Sequence, residues 1–403
     1  MGFGIRRTPG RILTINTGSS SLRARLYPAD VDAGPILTVD ADRIGKADGV
    51  LTVRGEGSVH ASEETLDPED HGSAVRALLR ALAEVGNDIT AVGHRIVHGG
   101  SRFAEPHVVT DDALSELRRL VPLAPSHLPR ALDAVDITRA AFPAAPQVLC
   151  FDTAFHRAMP RVARLYPLPR RFADYGVVRY GFHGLSYESI VHQLRAAGDA
   201  SAGGRLVVAH LGNGASMAAL RDGASVDTTM GFTPSGGLMM GTRAGDLDPG
   251  LLVYLLDDGG LNASSLNALV NREAGLLGVS GSSADMRDLL AREATDPHAA
   301  EAVALFCYLA KKQLGALVAV LGGLDTLVFT GGIGEHAAPV RARICAGLDV
   351  FGIEIAAARN AAPTGIVSTD GATVTVRAMH TDEDLMIARH TRRLIQGEAH
   401  VPV

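Results

Sequence analysis

Lysine is almost missing from this chain. Lys46, Lys311 and Lys312 are the only three, and none stands in a G-x-x-x-x-G-K-[ST] loop, so a Walker-type P-loop is excluded. Cysteine is as sparse. Cys150, Cys307 and Cys345 are odd in number and far apart, which excludes a zinc spacing and a disulfide framework and fits a reducing cytoplasm. Positive charge is not in excess: 38 Lys and Arg against 44 Asp and Glu leave a net charge of −6, which argues against a nucleic-acid partner. Long apolar runs are lacking. The most apolar one, residues 314–324, stops at Asp325, too short to span a bilayer, so no membrane partner is expected. The opening Met-Gly-Phe-Gly-Ile-Arg-Arg has no signal-peptide apolar region, and Arg6 stands where a myristoylation site wants Ser or Thr.

What is present is enough for two domains: 403 residues, of which 46% are hydrophobic. Residues 11–16 and 22–27 are short β-rich runs around the turn Thr17-Gly-Ser-Ser-Ser21, with further strands expected near 36–40 and 51–54. Val75, Leu78, Leu79 and Leu82 repeat at helical spacing. A strand at 91–97, helices at 112–120 and 129–141 and a strand at 147–151 complete the first half. The second half opens in the same way: strand 205–211, turn Gly212-Asn-Gly-Ala-Ser216, strand 217–220, then 226–229. Helices between 249 and 322, a strand at 326–330, a helix at 335–347, a strand at 373–377 and a helix at 382–396 follow. Gly18 and Ser20 fall on Gly214 and Ser216. The shared order predicts a duplicated α/β unit with a ligand cleft between the copies.

Several segments carry candidate chemistry. Residues 225–250 form a long Gly-rich stretch in which Arg243 has few large neighbours to pack against, so it is expected to be free to face a ligand. The turns at 17–21 and 212–216 offer backbone N–H groups, hydroxyls and, in the second, His210 and Asn213, which suit phosphate. Phe329-Thr-Gly-Gly-Ile-Gly-Glu335 joins a strand to a helix, as a nucleotide requires. Arg95 lies between His94 and His98 at a strand end. The segment is β-like, so the His-x-x-x-His spacing does not make a zinc site, and Arg95 is either phosphate-facing or in a surface ion pair. Asp152 ends a buried strand, as a helix N-cap or as a metal or active-site group. His183, between glycines in Tyr180-Gly-Phe-His-Gly184, is expected to be exposed. Thr381 with Asp384 reads as a capping box. Two arginines, small-residue turns, a nucleotide-type loop and several acids together fit phosphoryl transfer.

These residues resemble the acetate kinase family of the actin, Hsp70 and sugar-kinase fold superfamily. The matching motifs are Asn16-Thr-Gly-Ser-Ser-Ser-Leu22, 93–100, Phe151-Asp-Thr-Ala-Phe-His156, Arg179-Tyr-Gly-Phe-His-Gly184, 210–216, 225–250, Asp285-Met-Arg287, 329–335 and 381–389. The resemblance implies two actin-like (ribonuclease H-like) α/β domains with an interdomain cleft. The first is 1–152 with 384–403; the second, 153–383, would bind nucleotide and dimerise. It implies reversible transfer of the ATP γ-phosphate to acetate with Mg²⁺ (Mn²⁺ in its place), giving acetyl phosphate and ADP, in a cytoplasmic homodimer. Arg95 and Arg243 would grip the acyl substrate and the migrating phosphoryl group, His183 would bond its oxygens, and His127 would support the transition state. Asn16, Asp152 and Glu383 would lie around magnesium. Val97, Ser126, Phe182 and Pro234 would form the acyl pocket. Arg23, His210, Leu211, Gly212, Asn213, Gly214, Asp285, Met286, Arg287, Gly331, Gly332, Ile333, Gly334 and His336 would hold the nucleotide.

A carboxylic acid with pKa about 4–5 is already ionised at neutral pH, so the acceptor needs no general base and Asp152 is expected to orient groups or hold metal. The chain departs from the family pattern in places. Ser126-His-Leu-Pro129 replaces Leu-His-Asn-Pro, Arg23 replaces lysine, Leu185 and Tyr187 replace a Thr and a His, and His336 and Asp382 each replace an asparagine. Ser126 is expected to enlarge or polarise the acyl pocket and relax the preference toward propionate or a hydroxylated acid. A propionate, butyrate or other short-chain carboxylate kinase is therefore the alternative reading. A sugar kinase would need a base and a polar pocket, and an ATP-driven conformational protein would hydrolyse ATP without an acyl acceptor.

Overall fold

The computed structural model describes residues 10–18, 21–44, 49–55, 62–65, 71–85 and 88–398. Ser19 and Ser20 of the first candidate phosphate turn lie outside the described residues. The chain divides into two compact units, one running to Ala154 and resuming at Asp382, the other spanning Phe155–Thr381.

The first unit holds a sheet of β1 (Arg11–Thr17), β2 (Ser21–Tyr27), β3 (Leu37–Asp42), β4 (Val50–Gly55), β5 (Ser62–Thr65), β6 (Ile89–Ile96), β7 (His107–Val108) and β8 (Gln147–Phe151). Its order is β5-β4-β3-β2-β1-β6-β8-β7. The second holds β9 (Arg205–Leu211), β10 (Ala215–Arg221), β11 (Ala224–Thr228), β12 (Thr326–Thr330), β13 (Gly365–Ile366) and β14 (Thr375–Ala378), ordered β11-β10-β9-β12-β14-β13. The duplication is visible in the topology. In each unit an antiparallel meander, β1-β2-β3 or β9-β10-β11, is followed by two strands parallel to its first member, β6 and β8 or β12 and β14.

Burial explains the strand patterns. β1 and β10 are covered on both faces, so they read as continuous apolar or small-residue runs, whereas β2 alternates. One face of the first sheet, with Leu13, Ile15, Leu22 and Leu26, packs on Ala74, Val75, Leu78 and Leu82 of the helix His71–Val85. The helix Glu383–Gln396 returns to this unit. It lies so close to β6 that a Cβ on Gly93 would overlap Thr391 and Ile387. In the second unit Tyr187, Ile190, Val191 and Leu194 of the helix Gly184–Ala196 pack on Leu206, Val208, Ala218, Leu220 and Val328.

Three expectations are corrected. The apolar run extends into a helix, Pro297–Leu321, which has the length and hydropathy to cross a bilayer. Its buried residues Ala299, Val303, Phe306, Ala310, Leu314, Leu317 and Leu321 recur every three or four positions, the stripe of a core helix. The single helix expected at 335–347 is two helices, Gly331–His336 and Ala338–Cys345. Pro339 lacks an N–H, and its ring would clash with the carbonyl four residues back, so the first helix cannot continue. The Thr381–Asp384 capping box does not form. Asp382 is the N-cap, accepting from the Leu385 N–H at 2.8 Å.

Candidate active site

In open α/β sheets ligands gather at the carboxyl ends of the parallel strands. In the first unit those ends carry Asn16 (β1), Arg95 (β6) and Asp152 (just after β8). The Arg95 guanidinium forks onto Asp152, with Nε 3.0 Å from both carboxylate oxygens and Nη2 2.6 Å from Oδ2, while Nη1 donates to Asn16 Oδ1 at 3.0 Å. Asn16 Nδ2 donates to Glu383 Oε2 at 3.0 Å, and Glu383 lies 3.7 Å from Arg95 Nη1. Arg23 faces Asn16 directly across the β1–β2 ladder and is exposed. Arg95 is therefore in a buried pair, not a surface one, and Asp152 is its partner. Burial disfavours the Arg95 charge, but Asp152, Glu383 and Asp384 outweigh it, so its pKa is raised.

Negative charge exceeds positive in this cluster. Asp384, buried beside Thr14, is pushed up to about 6, by burial first and then, against the pull of Arg25, by Asp382 and Glu383. Among the described residues no group of three His, Cys, Asp or Glu side chains is set to cage a metal. A magnesium ion carried on phosphates needs only one or two protein carboxylates. Asp152 and Glu383, with the Asn16 amide oxygen, are hard donors of that kind, and the crowded carboxylates would be relieved by a divalent cation. Val97 is buried, Ser126 exposed, and His127 half-exposed at the start of the helix Leu128–Ala141, where it makes no capping bond.

The second unit places its cluster at the ends of β9 and β12, whose Thr330 pairs with His210. The β9–β10 turn of Leu211, Gly212, Asn213 and Gly214 adjoins Gly331–Gly334. A Cβ on Gly331 would lie 2.8 Å from the Leu211 carbonyl, and Gly331 adopts φ +74°, which only glycine enters at little cost. Gly332 and His336 are exposed, and Ile333 is half-buried. Gly241 packs against the same turn, where any Cβ would overlap Asn213 Oδ1 and lie 3.3 Å from the Ala284 carbonyl. Asp285 caps the helix Met286–Arg292 and pairs with Arg287 at 2.6 Å, while Met286 is buried. The structure thus brings 210–214, 241, 284–287 and 331–334 together.

His183 is not exposed as the flanking glycines implied. It is 8% exposed, in the left-handed region at φ 58°, with Nδ1 2.8 Å from Ser216 Oγ. Its ring stacks on His210 at 4.2 Å, and His210 Nδ1 meets Ser186 Oγ at 2.8 Å. Phe182 is core, and its carbonyl accepts from His156 Nε2 at 2.9 Å. Arg243 is not free either: it is half-buried, with Nη1 donating to the buried Pro234 carbonyl at 2.5 Å. The long loop around it is pinned by Gly237 N to Asp246 Oδ1 at 2.7 Å and by Gly241 N to Asn213 O at 3.0 Å. A Cβ on Gly214 would lie 3.2 Å from both Arg243 Nη2 and His183 Nε2. The bare glycine leaves these two side chains a common opening.

Two arginines were given no role from the sequence. Arg341, fully buried, donates to the carbonyls of Gly334, Glu335, Asn360 and Ala362 and to Asn360 Oδ1. It fastens the Gly-rich turn from behind. Arg179 Nη1 likewise gathers the carbonyls of Thr228, Thr229 and Met230 where the long loop leaves β11. Backbone carbonyls leave no mark in sequence, so Arg341 had no signal. Arg179 had only its place in a matched motif.

Buried histidines make stability pH-dependent. Burial lowers His94 to about 4 despite its bond to Gln147, and His156 to about 4 despite its bond to Phe182. Both are neutral in the fold but titrate near ~6.5 when unfolded, so between those values the unfolded chain binds more protons. Stability is then full above pH ~6.5 and falls as pH drops toward ~4. The two together should cost about 2–3 kcal/mol between pH ~7.5 and ~5.5. Urea titrations at the two values, with His94→Gln and His156→Gln variants flattening the slope, check this; an equal slope in the variants contradicts it.

The family profile described as "Acetokinase family" matches residues 11–389. The chain belongs to the acetokinase family. It is 45% identical over 394 residues to "Acetate kinase" of Rhodopseudomonas palustris (strain ATCC BAA-98 / CGA009), covering 96% of this chain and 98% of that protein. It is also 42% identical over 400 residues to "Propionate kinase" of Citrobacter rodentium (strain ICC168), covering 97% and 98%. Among solved structures it resembles the acetate kinase of Porphyromonas gingivalis, with a TM-score of 0.84 and 34% identity over 96% of this chain and 100% of that one. The expected class, a pair of mixed α/β domains, agrees with this family, and the names of both relatives are those of carboxylate kinases.

Proposed function

We propose that this protein transfers the γ-phosphoryl group of ATP to a short carboxylate, acetate first, and runs the reaction in reverse from acyl phosphate and ADP. The observation that carries the choice of acceptor is the state of Asp152: both its oxygens accept from Arg95. A carboxylate so engaged is a poor base for a sugar hydroxyl, whereas an ionised acid needs no deprotonation. What the acceptor does need is cations, because carboxylate and γ-phosphate repel. We assign Arg95 and Arg243 to that neutralisation, His183 to a phosphoryl oxygen, and His127 to support of the transition state. The turns 210–214 and 331–334, with Asp285 and Arg287, would take the nucleotide. Magnesium, held on the phosphates by Asp152, Glu383 and Asn16, would supply further neutralisation.

Val97, Ser126, Phe182 and Pro234 would shape the acyl pocket. One missing or added methylene in an apolar pocket changes selectivity by roughly 10- to 200-fold. With Ser126 in place of leucine, kcat/KM for propionate or lactate is expected within about tenfold of acetate. A kcat/KM series over short acids with ATP and Mg²⁺ checks this. Acetate favoured by more than ~200-fold would remove Ser126 from the argument, and equal turnover with a sugar or with water alone would sink the carboxylate reading.

A further inference from the structure

Ser216, fully buried near the start of β10, joins two side chains through one hydroxyl: His183 Nδ1 at 2.8 Å and the Tyr187 phenol. Among the described residues those are the partners of its side chain. Tyr187 is 0% exposed. It lies within the Ile190, Val191, Val208 and Leu220 core, with the His156 ring edge-on at 5.5 Å. A phenol in such surroundings needs a hydrogen-bond acceptor.

We propose that Tyr187 is a positioning residue that fixes, through Ser216, the tautomer of His183, and this rests on the phosphoryl-transfer reading above. The phenol is the more acidic hydroxyl, so its O–H donates to Ser216 Oγ. Ser216 has a single proton, and accepting from Tyr187 strengthens its own donation, which goes to His183 Nδ1. The imidazole proton must then sit on Nε2, the nitrogen beside Gly214 and Arg243. An N–H there can donate to a phosphoryl oxygen; a bare nitrogen would turn its lone pair on it. The stacking on His210 at 4.2 Å disfavours a charge on both rings at once. A neutral imidazole offers a proton on one nitrogen only, so the place of that proton decides what the ring can donate to. His156, bonded to the Phe182 carbonyl, holds the peptide that leads into His183 and completes the support.

The test is ¹⁵N imidazole NMR on the full-length ligand-free protein, with the His183 signals assigned by their loss in His183→Asn, alongside steady-state kinetics. Wild-type His183 should be the Nε2–H form. Tyr187→Phe, which removes one oxygen and keeps the ring, should give a mixture of tautomers and lower kcat roughly tenfold while KM for the carboxylate holds. Ser216→Ala should do the same, and it carries the test if Tyr187→Phe fails to fold. An Nδ1–H wild type, or a Tyr187→Phe protein that keeps both the Nε2–H form and full kcat, overturns the proposal. If the wild type is Nε2–H and Tyr187→Phe is mixed but no acyl phosphate is ever made, the relay stands and the functional reading falls.

Discussion

Arg243→Ala should lower kcat by about 10³–10⁵, roughly 4–7 kcal/mol of transition-state stabilisation, while the protein stays folded. The size follows from the role proposed for it: a guanidinium that neutralises phosphoryl oxygens in the transition state typically contributes that much. The fold should survive because the loop is held independently of this side chain, by Gly237 N to Asp246 Oδ1 and Gly241 N to Asn213 O. Truncation should cost about 1–3 kcal/mol of stability, the worth of hydrogen bonds from a charged donor. Arg243→Lys should recover little, because a point charge cannot form the planar fork. Single-turnover measurements with saturating ATP and acid read the effect. A tenth or more of wild-type kcat in Arg243→Ala removes this residue from the reaction.

Arg95→Ala is expected to differ in kind, because this arginine is paired with a buried carboxylate. Asp152 is 0% exposed and forked onto Arg95, with Glu383 and Asp384 close by. Removing the cation leaves a buried carboxylate without its counter-charge, a change that typically costs about 3–5 kcal/mol. Arg95→Ala should therefore be both inactive and markedly less stable. Arg95→Ala with Asp152→Asn should regain most of the stability, because the stranded charge is gone, and none of the turnover. Denaturant midpoints for the single and double variants decide this. A single variant as stable as wild type would mean that the pair is solvated and the electrostatic account of this cluster is wrong.

The contrast between the two arginines shows what was legible in sequence. The succession of the main elements along the chain was, because β1, β2, β9 and β10 carry apolar patterns around small-residue turns and the repeat of that succession survives where identity does not. Arg95, Asp152, Asn16 and Glu383 could be placed in one chemistry, but not in one another's hydrogen bonds. Residues 16, 95, 152 and 383 meet only because β1, β6 and β8 lie side by side and the last helix folds back on them, and a single sequence does not state that register. His183 read as exposed because glycines flank it; Gly181 serves instead a left-handed turn at φ 76° packed against His156. Arg243 read as unattached because the Pro234 carbonyl it donates to is main chain and leaves no mark in sequence. Arg341 and Arg179 bond mainly to backbone carbonyls, so no role could be read for them.

The central claim is that a carboxylate is the phosphoryl acceptor. Hydroxylamine trapping tests it most directly: enzyme, ATP, Mg²⁺ and acetate or propionate, with the hydroxamate and the ADP counted together. The account predicts hydroxamate equal to ADP, no hydroxamate without the acid, and loss of both products in Arg243→Ala. ADP formed at the same rate with and without acid, and no hydroxamate, would contradict it.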